Sequence, residues 1–131
     1  MIGLDTNVLV RYIMQDDAKQ SALANRLIDS LTAESPGYVA LVSVVEIAWV
    51  LGTAYELDRV QLAQAFESLL RANELVIENT ETVWKAVRAF QSSNADFADC
   101  LIERAGAVAG CEKTMTFDRA AAKGGGMTLL I

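Results

Sequence analysis

With 131 residues, of which 53% are hydrophobic, and a mean hydropathy of +0.27, the chain holds enough apolar material for one domain with a large core. Charges such as Arg11, Glu34, Glu56, Arg71 and Lys85 interrupt every apolar stretch before membrane-spanning length, which excludes a membrane helix. The net charge of −6, from 11 basic and 17 acidic residues, argues against nucleic-acid binding through a broad positive surface, and two cysteines with no histidine exclude the common zinc spacings and all imidazole chemistry. Acid–base or metal work therefore falls to carboxylates. Several of them around divalent cations would leave the ions free to meet a phosphate, so the acidic balance does not exclude a nucleic-acid substrate. The N-terminus has no basic n-region and no small-residue cleavage site, and Cys100 and Cys111 sit in apolar helix-like and strand-like settings, so a reduced cytoplasm is the expected compartment.

The opening, Met1 to Val10, is an apolar run stopped by Asp5-Thr6-Asn7 and then resumed. It reads as a buried strand ending in Asp5 and feeding a helix over 7–14, broken near Gln15-Asp16-Asp17. At that place Asp5 can cap the helix or hold a metal ion. A second helix spans about 17–31, with Ala18, Leu23 or Ala24, Leu27, Ile28 and Leu31 at helical spacing. Ser35-Pro36-Gly37 is a turn, and Tyr38 to Val42 is a second strand. Ser43-Val44-Val45-Glu46 opens the next helix. Its spacing is that of a capping box, which competes with Glu46 pointing into the same pocket as Asp5. A helix over 58–72 follows, and together the two form a helical hairpin over 43–72 whose apolar surface is either core or a partner face.

Leu75 to Ile77 is a third strand, and 80–90 an amphipathic helix built on Val83, Trp84, Val87 and Phe90. Asp96 to Ala109 is a further helix with Asp96 and Asp99 in its first turn, where the helix dipole favours acids but like charges three apart repel. Gly110 fits its C-terminal cap, Glu112 to Phe117 reads as a fourth strand, Asp118 to Lys123 as a short helix, and Met127 to Ile131 as a last strand beyond the turn Gly124-Gly125-Gly126. Alternating strands and helices with single crossovers predict an α/β fold with a mostly parallel sheet of about five strands in a single domain over 1–131.

Asp5, Glu46, Asp99 and Asp118 all fall just past a predicted strand's carboxyl end or in the first turn of the helix that follows. In open α/β sheets ligands bind at that edge, and carboxylate oxygens there suit magnesium or manganese, which activate a water and stabilise charge on a phosphoryl group.

The segments Leu4-Asp5-Thr6-Asn7, Val42-Ser43-Val44-Val45-Glu46, Asp96-Phe97-Ala98-Asp99-Cys100-Leu101-Ile102 and Thr114-Met115-Thr116-Phe117-Asp118-Arg119 resemble the successive acidic motifs of PIN-domain ribonucleases. In length and motif order the chain most resembles the VapC-type toxins of bacterial toxin–antitoxin pairs. The resemblance implies a three-layer α/β/α fold and a magnesium- or manganese-dependent endoribonuclease, usually a homodimer, inhibited by a cognate antitoxin that wraps its helices. It carries the three core acids to Asp5, Glu46 and Asp99 and the less uniform fourth to Asp118, all four as catalytic metal ligands. Asn7 and Thr116 match polar positions that hydrogen-bond around these carboxylates, and Asp96 is an extra acid near the metal or behind its primary ligands. Glu103 and Arg104 depart from the small residues that often follow the third acid and imply a more polar or internally paired wall. Arg11, Arg104, Lys113, Arg119 and Lys123, near these motifs in sequence, are the candidates for phosphate contacts.

Competing readings exist. A receiver-like magnesium-binding phosphoacceptor domain needs adjacent acids after the first strand and an Asp ending a middle one, where this chain has Leu41-Val42-Ser43 and Val76-Ile77-Glu78. A haloacid-dehalogenase-type phosphohydrolase needs a second Asp where Asn7 stands. A noncatalytic α/β binding module would keep the fold without the chemistry.

Overall fold

Residues 1–131 are described by a computed structural model in which the chain forms two compact units, Met1–Glu78 and Asn79–Ile131. The first unit runs β1 (Ile2–Gly3), α1 (Thr6–Met14), α2 (Ala18–Asp29), β2 (Gly37–Val39), α3 (Leu41–Thr53), α4 (Arg59–Arg71) and β3 (Leu75–Ile77). Its strands form a parallel sheet in the order β1-β2-β3, with Ile2 opposite Gly37 and Val39 opposite Ile77. Parallel neighbours need long crossovers, and here helix pairs supply them. Leu9, Val39, Ile47, Leu51 and Phe66 are the fully buried centre of this unit. Local signals set most boundaries. Gln15 leaves α1 in the left-handed conformation, at φ 52°, and Asp17 caps α2 by accepting from the Gln20 amide at 2.9 Å. Asp58 and Gln61 close a reciprocal capping box on α4.

Gly37 is where β2 passes closest to its surroundings. A Cβ there would stand 2.7 Å from Leu4 Cδ1, 2.9 Å from Leu31 Cδ1 and 3.1 Å from Leu75 Cδ2, all on buried side chains. Gly37→Ala is expected to lower stability by about 1–3 kcal/mol through overpacking, read as a lower urea midpoint at unchanged slope.

The second unit contains α5 (Thr80–Gln91), α6 (Phe97–Val108), β4 (Met115–Thr116), α7 (Arg119–Gly124) and β5 (Thr128–Leu129), with β4 and β5 paired in parallel. α5 and α6 pack as a hairpin over Val83, Ala86, Val87, Cys100 and Leu101, closed by Phe90 edge-on to Phe97 with ring centroids 5.7 Å apart. Gly110, at φ 96°, lies just beyond the end of α6, where its freedom to take positive φ was expected to stop the helix.

The fold class is the α/β one expected, mostly helical and with every strand pair parallel, but the sheet is small and divided three and two. Several sequence expectations change. The first strand is not buried: Ile2 and Gly3 are exposed, and only Leu4, just beyond it, enters the core. The second strand ends at Val39, and Leu41 and Val42 belong to α3, because the Glu78 carboxylate accepts from the Leu41 amide at 2.9 Å and starts the helix early. Ser43 thereby becomes a buried interior residue of α3, no Ser43–Glu46 capping box forms, and Glu46 falls in the second turn of the helix instead of the first. The fourth strand shrinks from 112–117 to two residues because β5 is its only partner, and Cys111 stands exposed in the connection between α6 and β4 rather than in a strand-like setting.

Candidate active site

In the first unit the chain leaves β1 at Asp5, whose Oδ1 accepts from the Thr6 amide at 2.8 Å and caps α1. Asp5 thus fills the capping role that its position allows, and the cap occupies one carboxylate oxygen. Thr6, buried at the start of α1, turns its hydroxyl to α3 and donates to Glu46 Oε1 at 2.9 Å. That bond ties the Glu46 carboxylate to the segment carrying Asp5. Both acids line one cavity of about 640 Å³, together with Thr6, Asn7, Arg11 and Tyr55. Asn7, expected to bond these carboxylates, lines the cavity, while the bond to Glu46 comes from its neighbour. The only sequence signal for Thr6 was its place between Asp5 and Asn7.

Arg11 is held by its own unit. Its Nη1 donates to Tyr55 Oη at 2.8 Å and lies 3.2 Å from Asp16 Oδ1, and its Nε donates to Gln20 at 2.7 Å. Tyr55 donates in turn to Asp16 at 2.6 Å, which is the main reason the Asp16 carboxyl lies below its ordinary range, with the Arg11 charge adding to it. Arg11 is therefore the keystone of a network that joins Asp16, Gln20 and Tyr55.

In the second unit Asp96 caps α6, accepting from the Ala98 amide at 3.1 Å. Asp99, one turn on and half-buried, titrates above the ordinary carboxyl value because burial penalises its charge, and the neighbouring Asp96 and Asp118 add to the penalty. Asp118 caps α7 through the Ala120 and Ala121 amides, at 2.8 and 3.2 Å. Thr116 does not touch a carboxylate; its hydroxyl oxygen accepts from the Asp118 amide at 3.0 Å and fixes the turn that presents that acid. Glu103 and Arg104 pair with each other, Nη2 to Oε1 at 2.7 Å, which is the internal pairing anticipated for this departure from the family pattern.

Within neither unit do three acid or cysteine side chains gather into a ready ion cage. The donor chemistry nevertheless fits a hard divalent cation, since the site groups are carboxylates and a hydroxyl, and what holds Asp99 toward its protonated form is burial and two like charges that a cation would offset.

Parallel strands joined by helices define an α/β protein in which Asp5 follows β1 and Asp118 follows β4. The PIN domain family model matches residues 2–126, and the chain belongs to that family. A comparison with curated proteins found no match. PIN domains are generally nucleases, enzymes that hydrolyse nucleic-acid phosphodiesters, and typically use divalent metals.

Proposed function

We propose that this chain is a magnesium- or manganese-dependent endoribonuclease in which Asp5, Glu46, Asp99 and Asp118 are the metal-binding catalytic acids, with Asp96 assisting. The observation that carries the reading is Asp99: a half-buried carboxyl pressed by two other acids, in a member of a nuclease family, is costly to ionise unless a cation is to be bound. A bound divalent ion supplies a water that loses its proton readily and positive charge against the phosphoryl oxygens. The chain's own part is to aim the oxygens. Thr6 holds Glu46 by its hydroxyl, Asp5 and Asp118 are held by the amides of the helices they cap, and Asp99 is half-buried, so water screens its charge less than that of a fully exposed acid. No imidazole exists to act as base, so the proton of the attacking water leaves by a carboxylate or by solvent.

The test is incubation of purified protein with a mixed panel of structured and unstructured RNAs, with magnesium or manganese, against EDTA and against Asp99→Asn. Cleavage that needs both the metal and Asp99 supports the proposal. Absence of cleavage by folded protein in every condition overturns it in favour of a noncatalytic module. Thr6→Val, which keeps the shape and deletes the hydroxyl, is expected to reduce activity about 10–100-fold by freeing Glu46, at a stability cost of about 1 kcal/mol.

The biological role we propose is that of a cytoplasmic, homodimeric toxin restrained by a cognate antitoxin protein. Support comes from the VapC-like length and motif order and from the α3–α4 hairpin, which buries Ile47, Leu51, Phe66 and Leu69 yet leaves Val42, Trp49 and Val60 exposed for a partner. No helix is long and apolar enough to cross a membrane. Growth arrest on expression, relieved by co-expressing the product of the adjacent gene, is the expected result. Unimpaired growth on expression of an RNA-cleaving protein would remove the toxin reading.

A further inference from the structure

Beside Asp99, on the same helix, the second unit holds a cavity of about 500 Å³ that the catalytic acids do not use. Three of the chain's 11 basic residues, Lys85, Arg88 and Arg104, line it, and its only acid is Glu103. Both Glu103 oxygens are already taken by Arg104, so Lys85 and Arg88 contribute uncompensated positive charge in a chain whose net charge is −6. The Arg88 guanidinium lies over the Trp84 ring, 5.3 Å from its centroid, which holds its reach in one direction. Arg88 stands in the last turn of α5, where the helix dipole by itself favours a cation, but that does not account for Lys85 a turn earlier or for Arg104 on the opposing helix. The rest of the wall is made by Ala89, Ser92, Ser93 and Cys100 and by Gly124 to Gly126, whose backbone carries no side chains and permits close approach of a bulky ligand.

We infer that this cavity is a phosphate subsite that holds the backbone of the RNA strand beside the scissile bond, with Lys85 and Arg88 as its principal contacts. The inference rests on the nuclease reading for the identity of the strand. Cys100, the residue after Asp99, lines the cavity, and α6 leads from Asp99 to Arg104 in five residues, about 7.5 Å along the axis. At about 3.4 Å of strand per nucleotide in a stacked helix, that is roughly two nucleotides. A strand engaged at Asp99 would therefore meet the cations within one or two phosphates. Phosphate contacts carry no base information, so the site adds affinity and register without sequence preference.

The experiment is fluorescence anisotropy with a short, labelled, unstructured RNA in EDTA, which separates binding from cleavage. The double variant Lys85→Gln with Arg88→Gln is compared with the parent and with Lys19→Gln plus Arg26→Gln, which removes two exposed charges from α2. Expected is about tenfold weaker binding by the first pair alone, equal for RNAs of different sequence, with the slope of log affinity against log salt reduced by about 1.4, two contacts at about 0.7 each for a single strand. The charge-keeping pair Lys85→Arg with Arg88→Lys should restore most of the affinity, and thermal melts identify any variant that fails to fold. Equal affinity and slope in the two neutralised pairs overturns the inference, as does a parent that binds no RNA. Binding of inorganic pyrophosphate that depends on Lys85 and Arg88 while RNA binding does not would also overturn it, in favour of a small phosphorylated ligand. A parent that cuts no RNA but loses affinity with the first pair would sink the nuclease reading and leave the subsite standing. A parent that cuts RNA while the first pair binds normally would do the reverse.

Discussion

Replacing Asp99 with asparagine is expected to lower RNA cleavage on the order of 10²- to 10³-fold and, at neutral pH without metal, to raise the melting temperature. The activity loss has the size seen when one preorganised electrostatic contact to a transition state is deleted. The stability gain has the opposite origin. Burial, then Asp96 and Asp118, raises the folded-state Asp99 pKa above 3.8, so the stability associated with its proton is fully present below 3.8 and is lost as pH rises through the folded value. Above that value the ionised carboxylate is a net cost, which asparagine removes. The variant's advantage should therefore appear at neutral pH and vanish in acid below 3.8. Adding magnesium should invert the order, because the parent gains the binding free energy of the ion, about 2.7 kcal/mol at a hundred times its dissociation constant, and the variant gains less. Thermal melts in EDTA and in magnesium at two pH values test all of this. A variant less stable than the parent in EDTA at neutral pH would make Asp99 a structural group and remove it from the site.

Phe66→Ala is expected to cost about 3–5 kcal/mol, more than either Gly37→Ala or Thr6→Val, because Phe66 is 1% exposed and the hole it leaves cannot be refilled by the surrounding backbone. It lies on α4, which packs against α3 and β3 and so backs the helix that carries Glu46. Against a usual total of about 5–15 kcal/mol that is a large share, and the folded fraction, and with it any cleavage, should fall steeply on warming. Phe66→Leu should cost less than half as much, since most of the volume stays. Urea denaturation of the three proteins measures the series, and a loss under about 1 kcal/mol for the alanine variant would mean that this part of the core is loosely packed.

Much of the chain was legible because its signals are local. α4 begins where Asp58 and Gln61 make a capping box, β3 occupies the apolar triplet Leu75–Ile77, and α6 is followed by a glycine with positive φ. Each depends on a few neighbouring side chains and backbone torsions, which sequence displays directly. Asp5 and Asp118, each two residues past the end of a strand, were legible for the same reason.

Local pattern alone thus established the α/β class, the parallel pairing, the order of the helices and the placing of Asp5, Asp96, Asp99 and Asp118 at the starts of helices or within their first turns. Which groups the acids meet was settled by the folded chain. α3 starts two residues before Ser43 because Glu78, 37 positions from Leu41, accepts from its amide, and this moves Glu46 into the second turn. Glu46 is oriented by Thr6, 40 positions away, rather than by its own helix. Arg11 is drawn into a network with Tyr55 that no local pattern announces, and Lys85 and Arg88 meet Arg104 only because α5 folds back on α6. In each case the deciding contact joins residues distant in sequence. Its strength depends on desolvation and hydrogen-bond geometry that exist only once the chain has closed on itself.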